Sequence, residues 1–199
     1  TNLPDAPVWI HAVSVGESVG AVALARALKT RRPDIPLLVT TNTVTAAARI
    51  AAQPGDLGLT HLYQPLDHPD MVDSFLRHVQ PRMALFLESD FWPNLITRTA
   101  EAEVPVALVS AQLSDRAFAR WQRQRTVAMA VFGTPELVLA VDAEQADRFT
   151  RLGTDPQNVH IGGSLKLPPA RGDIDDDLVA MLQGAAGGRR VLLAASTHD

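Results

Sequence analysis

Residues 8–41 read VWIHAVSVGESVGAVALARALKTRRPDIPLLVTT, and this stretch decides the fold. Val8–Val13 is an apolar run of the kind that forms a strand buried on both faces. Val19–Arg32 places Val22, Leu24, Ala25 and Leu28 at helical spacing, and Pro33 stops that helix. Leu37–Thr41 is a second buried strand. Strand, helix and strand in so short a span make a βαβ unit, whose right-handed crossover lays the two strands parallel.

The alternation continues along the chain. Thr45–Ala52 reads as a short Ala-rich helix and Leu59–Tyr63 as a third strand. Pro69–Val79 is helical, with Met71, Val72, Phe75 and Val79 on one face. Met83–Leu87 is a fourth strand, followed by a helix near Pro93–Ala102 with Pro93 in its first turn. Val106–Ser110 is a fifth strand, and Ser114 suits the N-cap of one long helix to about Val131. Leu137–Val141, a helix over Glu144–Leu152 closed by Gly153, and a strand at Val159–Ile161 complete the series. The expected fold is α/β, a Rossmann-like doubly wound parallel sheet. Functional residues of such a sheet lie just past the carboxyl ends of its strands.

Composition narrows the function. The 199 residues are 46% hydrophobic and 20% charged, which is globular and excludes a disordered chain. No apolar run approaches the roughly 18 residues of a spanning helix. There is no Cys, so disulfides, thiolate zinc sites and a Cys nucleophile are excluded. Lys and Arg total 18 against 22 Asp and Glu, a net charge of −4 that argues against gripping nucleic-acid backbone. Only Lys29 and Lys166 among the basic residues are Lys. The chain opens on Thr rather than Met, and reads as a processed or excised piece.

Residues 1–167 hold the whole alternating pattern. Residues 168–190, with Pro168, Pro169, Gly172 and the acidic run Asp173–Asp177, read as a linker and a short helix. Residues 191–199 begin a new strand, Val191–Ala195, natural as the start of a second domain.

Three loops at strand ends carry candidate chemistry. The first strand leads into His11-Ala12-Val13-Ser14-Val15-Gly16-Glu17. Here Glu17 is either a site carboxylate or a first-turn residue complementing the helix dipole. The fourth leads into Glu88-Ser89-Asp90-Phe91-Trp92-Pro93. Asp90 or Ser89 reads as the cap of the next helix and Trp92 as packing on it. Glu88, still inside the strand boundary, is less easily explained, because an unpaired carboxylate is costly there. The seventh leads into Gly162-Gly163-Ser164-Leu165-Lys166, where Lys166 is either a ligand-facing cation or a surface residue on a flexible turn. The dinucleotide fingerprint G-x-G-x-x-G and the phosphate-loop Gly-Lys-Ser/Thr are both absent. Asp173, Asp175, Asp176 and Asp177 read as an acidic helix N-terminus rather than a metal motif, and the six His do not cluster at ligand spacing. His11 reads as a packing or loop-bracing residue.

Ser114–Arg125 adds a partner surface. Arg116, Arg120 and Arg123 share one helical face, with Phe118 and Trp121 interleaved. The pattern fits an anionic membrane surface, or equally a solvated face over a core that takes the two rings.

H-A-V-S-V-G-E, the stretch T-T-N-T-V-T at Thr40–Thr45, L-E-S-D-F-W-P-N-L, S-A-Q-L-S-D-R and G-G-S-L-K together resemble the successive motifs of bacterial 3-deoxy-D-manno-octulosonic acid (Kdo) transferases. The resemblance runs over essentially the whole chain. The family usually has E-T-E-L-W-P-N-L and N-A-R-L-S, so Asp90 and Gln112 are departures, and Gln112 removes an anion contact that Arg would offer. The resemblance implies the N-terminal, acceptor-binding lobe of a GT-B glycosyltransferase. It implies inverting transfer of Kdo from CMP-Kdo to a lipid A precursor, without a cofactor or metal, at the cytoplasmic face of the bacterial inner membrane. It makes Glu17 the general base and Glu88 and Lys166 transition-state stabilisers. Ala195-Ser196-Thr197-His198-Asp199 resembles the start of a donor-side motif, which places Ser196, Thr197 and His198 near the donor.

Overall fold

The computed structural model describes residues 3–165, 176–187 and 189. Seven parallel strands form one sheet: β1 (Val8–His11), β2 (Leu37–Thr41), β3 (Leu59–Tyr63), β4 (Met83–Leu87), β5 (Val106–Ala111), β6 (Leu137–Ala140) and β7 (Val159–Ile161). Their order is β3-β2-β1-β4-β5-β6-β7. The apolar runs become the inner strands because both faces are covered. Every residue of β1, β2 and β5 is buried, whereas the edge strands β3 and β7 are half exposed.

Successive residues alternate between two cores, as the pleat requires. Val8, Ile10, Leu37, Val39, Leu85 and Leu87 join one core. It is covered by α1 (Val15–Arg31) and α2 (Val44–Ala51) through Ala21, Val22, Ala25 and Ile50. Trp9, Leu38, Phe86 and Leu108 join the other. That face is covered by α3 (Pro69–Val79), α4 (Pro93–Glu101), α5 (Asp115–Arg123), α6 (Arg125–Phe132) and α7 (Ala143–Leu152). The sheet is therefore doubly wound, as the alternation predicts. A bulge at Ser110 breaks the pleat in β5. Val109 faces the first core and Ala111 the second, so the extra residue shifts the alternation by one.

Four boundaries and faces differ from expectation. Helix α1 begins at Val15, not Val19, because Ser14 and Glu17 form a capping box that satisfies backbone groups at its start. In α3 the inward face is Val72, Leu76 and Val79, and Met71 is exposed. The long helix expected from Ser114 is two helices broken at Gln124. The break brings Trp121 and Phe132 into edge contact at 5.0 Å between ring centres. The cap of α4 is neither Ser89 nor Asp90: its N-cap residue, Trp92, makes no side-chain cap bond. Asp67, from the loop after β3, instead accepts from the backbone N–H groups of Leu95 at 2.8 Å and Asn94 at 3.4 Å.

The chain divides into units Thr1–Lys166 and Leu167–Asp199. In the second, helix α8 spans Asp176–Ala186, so the last acidic residues of the run open it. The strand expected at Val191–Ala195 lies outside the described residues. Among the described residues no helix is long and apolar enough to cross a membrane.

Candidate active site

Strands β1 and β4 are neighbours, yet the helices that follow them leave toward opposite faces. Their carboxyl ends flank the point where the winding reverses, which is where open α/β sheets bind ligands. Glu17 comes to this crevice on the first turn of α1, and Glu88 and Asp90 come to it from the end of β4.

Glu17 is almost fully buried. Its Oε2 accepts hydrogen bonds from the backbone N–H groups of Val13 at 2.5 Å and Ser14 at 3.2 Å. The Ser14 hydroxyl oxygen accepts in return from the Glu17 N–H. These bonds stabilise a carboxylate, and burial opposes them. Burial wins and, with the charges of Asp90 and Glu88 beside it, pushes Glu17 up to about 7. Asp90 is itself raised, by burial first and by the charge of Glu88. One turn along α1, Gly20 lets Leu165 and Leu87 pack closely: a Cβ there would meet the Leu165 Cβ at 3.2 Å. This contact explains a glycine inside a helix.

Glu88 is buried, with φ at +61°. Its Oε2 accepts from Gln112 Nε2 at 3.4 Å. The neighbouring Ser110 is also left-handed, at φ +55°, and its hydroxyl accepts from the Leu165 N–H at 3.1 Å. Each such residue costs about 1–2 kcal/mol relative to ordinary backbone. Two of them at adjacent strand ends mark a place where geometry is held against strain. Ser110 also ties the loop after β7 to the end of β5. Leu165 is the last described residue before Lys166, which lies outside the described residues.

His11 is buried and braces β1 against β2. Its Nδ1 lies 2.8 Å from the Thr40 hydroxyl oxygen, which also accepts from Trp9 Nε1 at 2.8 Å. Burial lowers His11 to about 3, so it is neutral across the physiological range.

Helix α5 sends its rings and its arginines in different directions. Trp121 is buried in the core and Phe118 is half-buried beneath the Arg148 and Arg151 guanidinium groups, so the rings do not face outward with the arginines. Arg116, Arg120 and Arg123 are exposed. Arg120, Trp121 and Trp92 line a groove of about 410 Å³ whose other wall includes Ser89 and Asp90. The arginine face thus borders the β4 end of the crevice.

Residues 2–168 match the family model described as 3-deoxy-D-manno-octulosonic-acid transferase (kdotransferase). The chain belongs to this family. It is 30% identical over 200 residues to the 3-deoxy-D-manno-octulosonic acid transferase of Haemophilus influenzae, covering 98% of this chain and 46% of that protein. It is 35% identical over 200 residues to the Bordetella pertussis transferase, covering 98% and 45%. The chain therefore spans just under half the length of these curated relatives. Among solved structures it is similar in fold to UDP-GlcNAc 2-epimerase from Neisseria meningitidis, at TM-score 0.58 and 9% identity over 79% of this chain and 46% of that one. A second UDP-N-acetylglucosamine 2-epimerase structure matches at TM-score 0.57 and 12% identity, over 87% and 52%. The Kdo transferase chain thus has the architecture of one GT-B-type lobe.

Of the residues that the family resemblance singles out, Glu17 and Glu88 stand at one crevice in this Kdo transferase chain. Ser196, Thr197 and His198, like Lys166, lie outside the described residues. Asp90 stands beside Glu17 as a further carboxyl, its charge helping to raise Glu17, although its position after β4 reads from sequence as a helix cap.

Proposed function

We propose that this chain supplies the acceptor side of an inverting transfer of Kdo from CMP-Kdo to a hydroxyl of a lipid A precursor. The observation that carries the reading is Glu17, a buried carboxyl at the winding reversal with a proton affinity near neutral. A base works best when its pKa lies near the working pH. In the proposed step Glu17 takes the acceptor hydroxyl proton as the oxygen bonds to the anomeric carbon. The bond from that carbon to the CMP phosphate breaks, and CMP leaves with the electron pair. Glu88 favours the positive charge that develops at the anomeric carbon. Lys166 opposes negative charge on the phosphate or the sugar carboxylate, and the family resemblance assigns Ser196, Thr197 and His198 to the donor side. The scheme invokes no metal.

Exposed Arg116, Arg120 and Arg123 suit the phosphates of the acceptor and of an anionic membrane, in keeping with a reaction at the cytoplasmic face of the inner membrane, the location that the family resemblance implies. Reversing all three charges should weaken flotation of the protein with anionic vesicles severalfold at low salt and leave its unfolding midpoint unchanged. Equal flotation of the variant would remove the membrane role.

A second reading follows from length. A chain covering 46% of a relative holds the acceptor without transferring anything to it. Incubating the 199-residue protein with labelled CMP-Kdo and lipid A precursor separates the two readings. Labelled lipid supports transfer by this chain, and precursor binding without label supports a non-catalytic acceptor-lipid module.

A further inference from the structure

Each strand from β1 to β6 is followed by a helix of the same unit, whereas β7 is followed by the irregular segment 162–165. The Gly162 N–H makes a last ladder bond to the Ala140 carbonyl oxygen of β6 at 2.8 Å, and the chain then turns at Gly163, whose φ is +76°. From there it runs sideways along the carboxyl edge of the sheet. The Leu165 N–H reaches the Ser110 hydroxyl oxygen at the end of β5, two strands from β7, at 3.1 Å. Two strand spacings are about 10 Å, and four residues span about 13 Å at most, so the segment has little slack.

The far end of this segment is held on two sides. The Leu165 side chain joins the core beneath α1. It fills the notch at Gly20, where a Cβ would meet the Leu165 Cβ at 3.2 Å and a Leu87 methyl carbon at 3.7 Å. Gly20 lies one turn beyond Glu17, and Leu87 immediately precedes Glu88. The Ser110 bulge is fastened to Glu88 in turn. The Glu88 N–H donates to the Val109 carbonyl oxygen at 3.0 Å, and the Glu88 carbonyl oxygen accepts from the Gln112 N–H at 3.1 Å. Leu165 is thus locked against the elements that carry Glu17 and Glu88. Ser110 makes its bond from the left-handed region, at φ +55°, a strained backbone that its surroundings hold in place.

Lys166 is the next residue, its Cα about 3.8 Å from that of Leu165 by covalent geometry alone. We propose that the Leu165 clasp, made by the Ser110 hydroxyl and the Gly20 notch, positions Lys166 for the transfer reaction, with Ser110 and Gly20 as positioning residues. This rests on the reading of Lys166 as the cation that opposes negative charge on the donor. A lysine side chain has many rotamers, and fixing the backbone that carries it reduces the freedom it must lose in the transition state.

Two measurements test the clasp. In the 199-residue protein, amide hydrogen exchange at Leu165 should be severalfold faster in Ser110→Ala, with β1 and β4 protected as before. Equal protection of Leu165 would remove the clasp. In a protein of the relatives' length, Ser110→Ala should lower kcat by about 10- to 10²-fold. In a Lys166→Met background the same change should cost less than about twofold, because a residue that acts through Lys166 then has nothing to position. Ser110→Gly, which relieves the left-handed backbone, takes its place if Ser110→Ala fails to fold. Gly20→Ala should also lower kcat while its urea midpoint does not fall, since alanine suits a helix interior better than glycine. An equal loss of kcat with and without Lys166 would overturn the proposal. Near-normal turnover in Lys166→Met alone would instead overturn the reading of Lys166 on which it rests.

Discussion

Glu17→Gln should lower Kdo transfer by about 10²- to 10⁴-fold and at the same time make the fold more stable at pH 8. The first effect follows because an amide cannot take the acceptor proton, while its size and its carbonyl keep the contacts to Val13 and Ser14. The second follows from linkage. Glu17 binds its proton more tightly in the folded protein, at about 7, than in the unfolded chain at its ordinary 4.5. The folded state therefore holds more protons between these values, and its stability falls as pH rises through them. The stabilising contribution is complete below pH 4.5 and lost above pH 7, a difference of up to about 3 kcal/mol. Glutamine stays neutral throughout, so the variant escapes the loss. Wild type and variant should unfold at similar urea concentrations at pH 4.5, and the variant at higher urea at pH 8. His11 runs the other way, since its lowered pKa costs stability as pH falls from 6.5 toward 3. The two proteins must therefore be compared at each pH rather than along one profile. Transfer is assayed in a protein of the relatives' length. Near-normal turnover would end the base assignment, and an equal urea shift at both pH values would end the account of its proton affinity.

The same residue shows what a sequence can and cannot reveal. Strands such as Leu37–Thr41 and Met83–Leu87 are legible because a parallel strand buried on both faces must be an unbroken apolar run. That they run parallel, with function gathered at their carboxyl edge, follows from the alternation with helices, whereas the order β3-β2-β1-β4-β5-β6-β7 is decided by the packed fold. Helix α1 starts earlier than periodicity implies because Ser14-Val15-Gly16-Glu17 is a poor helix by propensity and a good one by capping. The S-x-x-E spacing was the available signal. The break at Gln124 has no local mark, neither Gly nor Pro. It accompanies ring packing between Trp121 and Phe132, which is decided by the whole core. Asp90 was misread for the same reason: the residue that caps α4 lies on another loop, and no local spacing reports it. The pKa of Glu17 was undecidable from sequence because helix N-terminus and burial pull in opposite directions. Only the depth of burial and two neighbouring carboxylates settle the balance.

Phe132→Ala should be the most damaging core substitution at a distance from the crevice, costing about 3–5 kcal/mol. Phe132 is fully buried at the end of α6 and stands edge-on to Phe91 at 5.4 Å and Trp121 at 5.0 Å, and beside Phe149 at 5.7 Å. Truncation removes a ring from the centre of three aromatic contacts, each worth about 0.5–1.5 kcal/mol beyond burial. Against a typical total of about 5–15 kcal/mol the loss is large, and the urea midpoint should fall steeply. The consequence reaches function through Phe91, the residue after Asp90. With its anchor gone the loop from Glu88 to Trp92 loses its fixed position, and the charges of Glu88 and Asp90 that help to raise Glu17 shift with it. Phe132→Leu keeps most of the volume and should retain most of the stability, while still weakening the edge contacts to Phe91. In that milder variant the fold survives and the Glu17 carboxyl titration should fall below its wild-type midpoint. If Phe132→Leu is folded and Glu17 still titrates as in the wild type, the aromatic cluster supports the core alone and has no hold on the site.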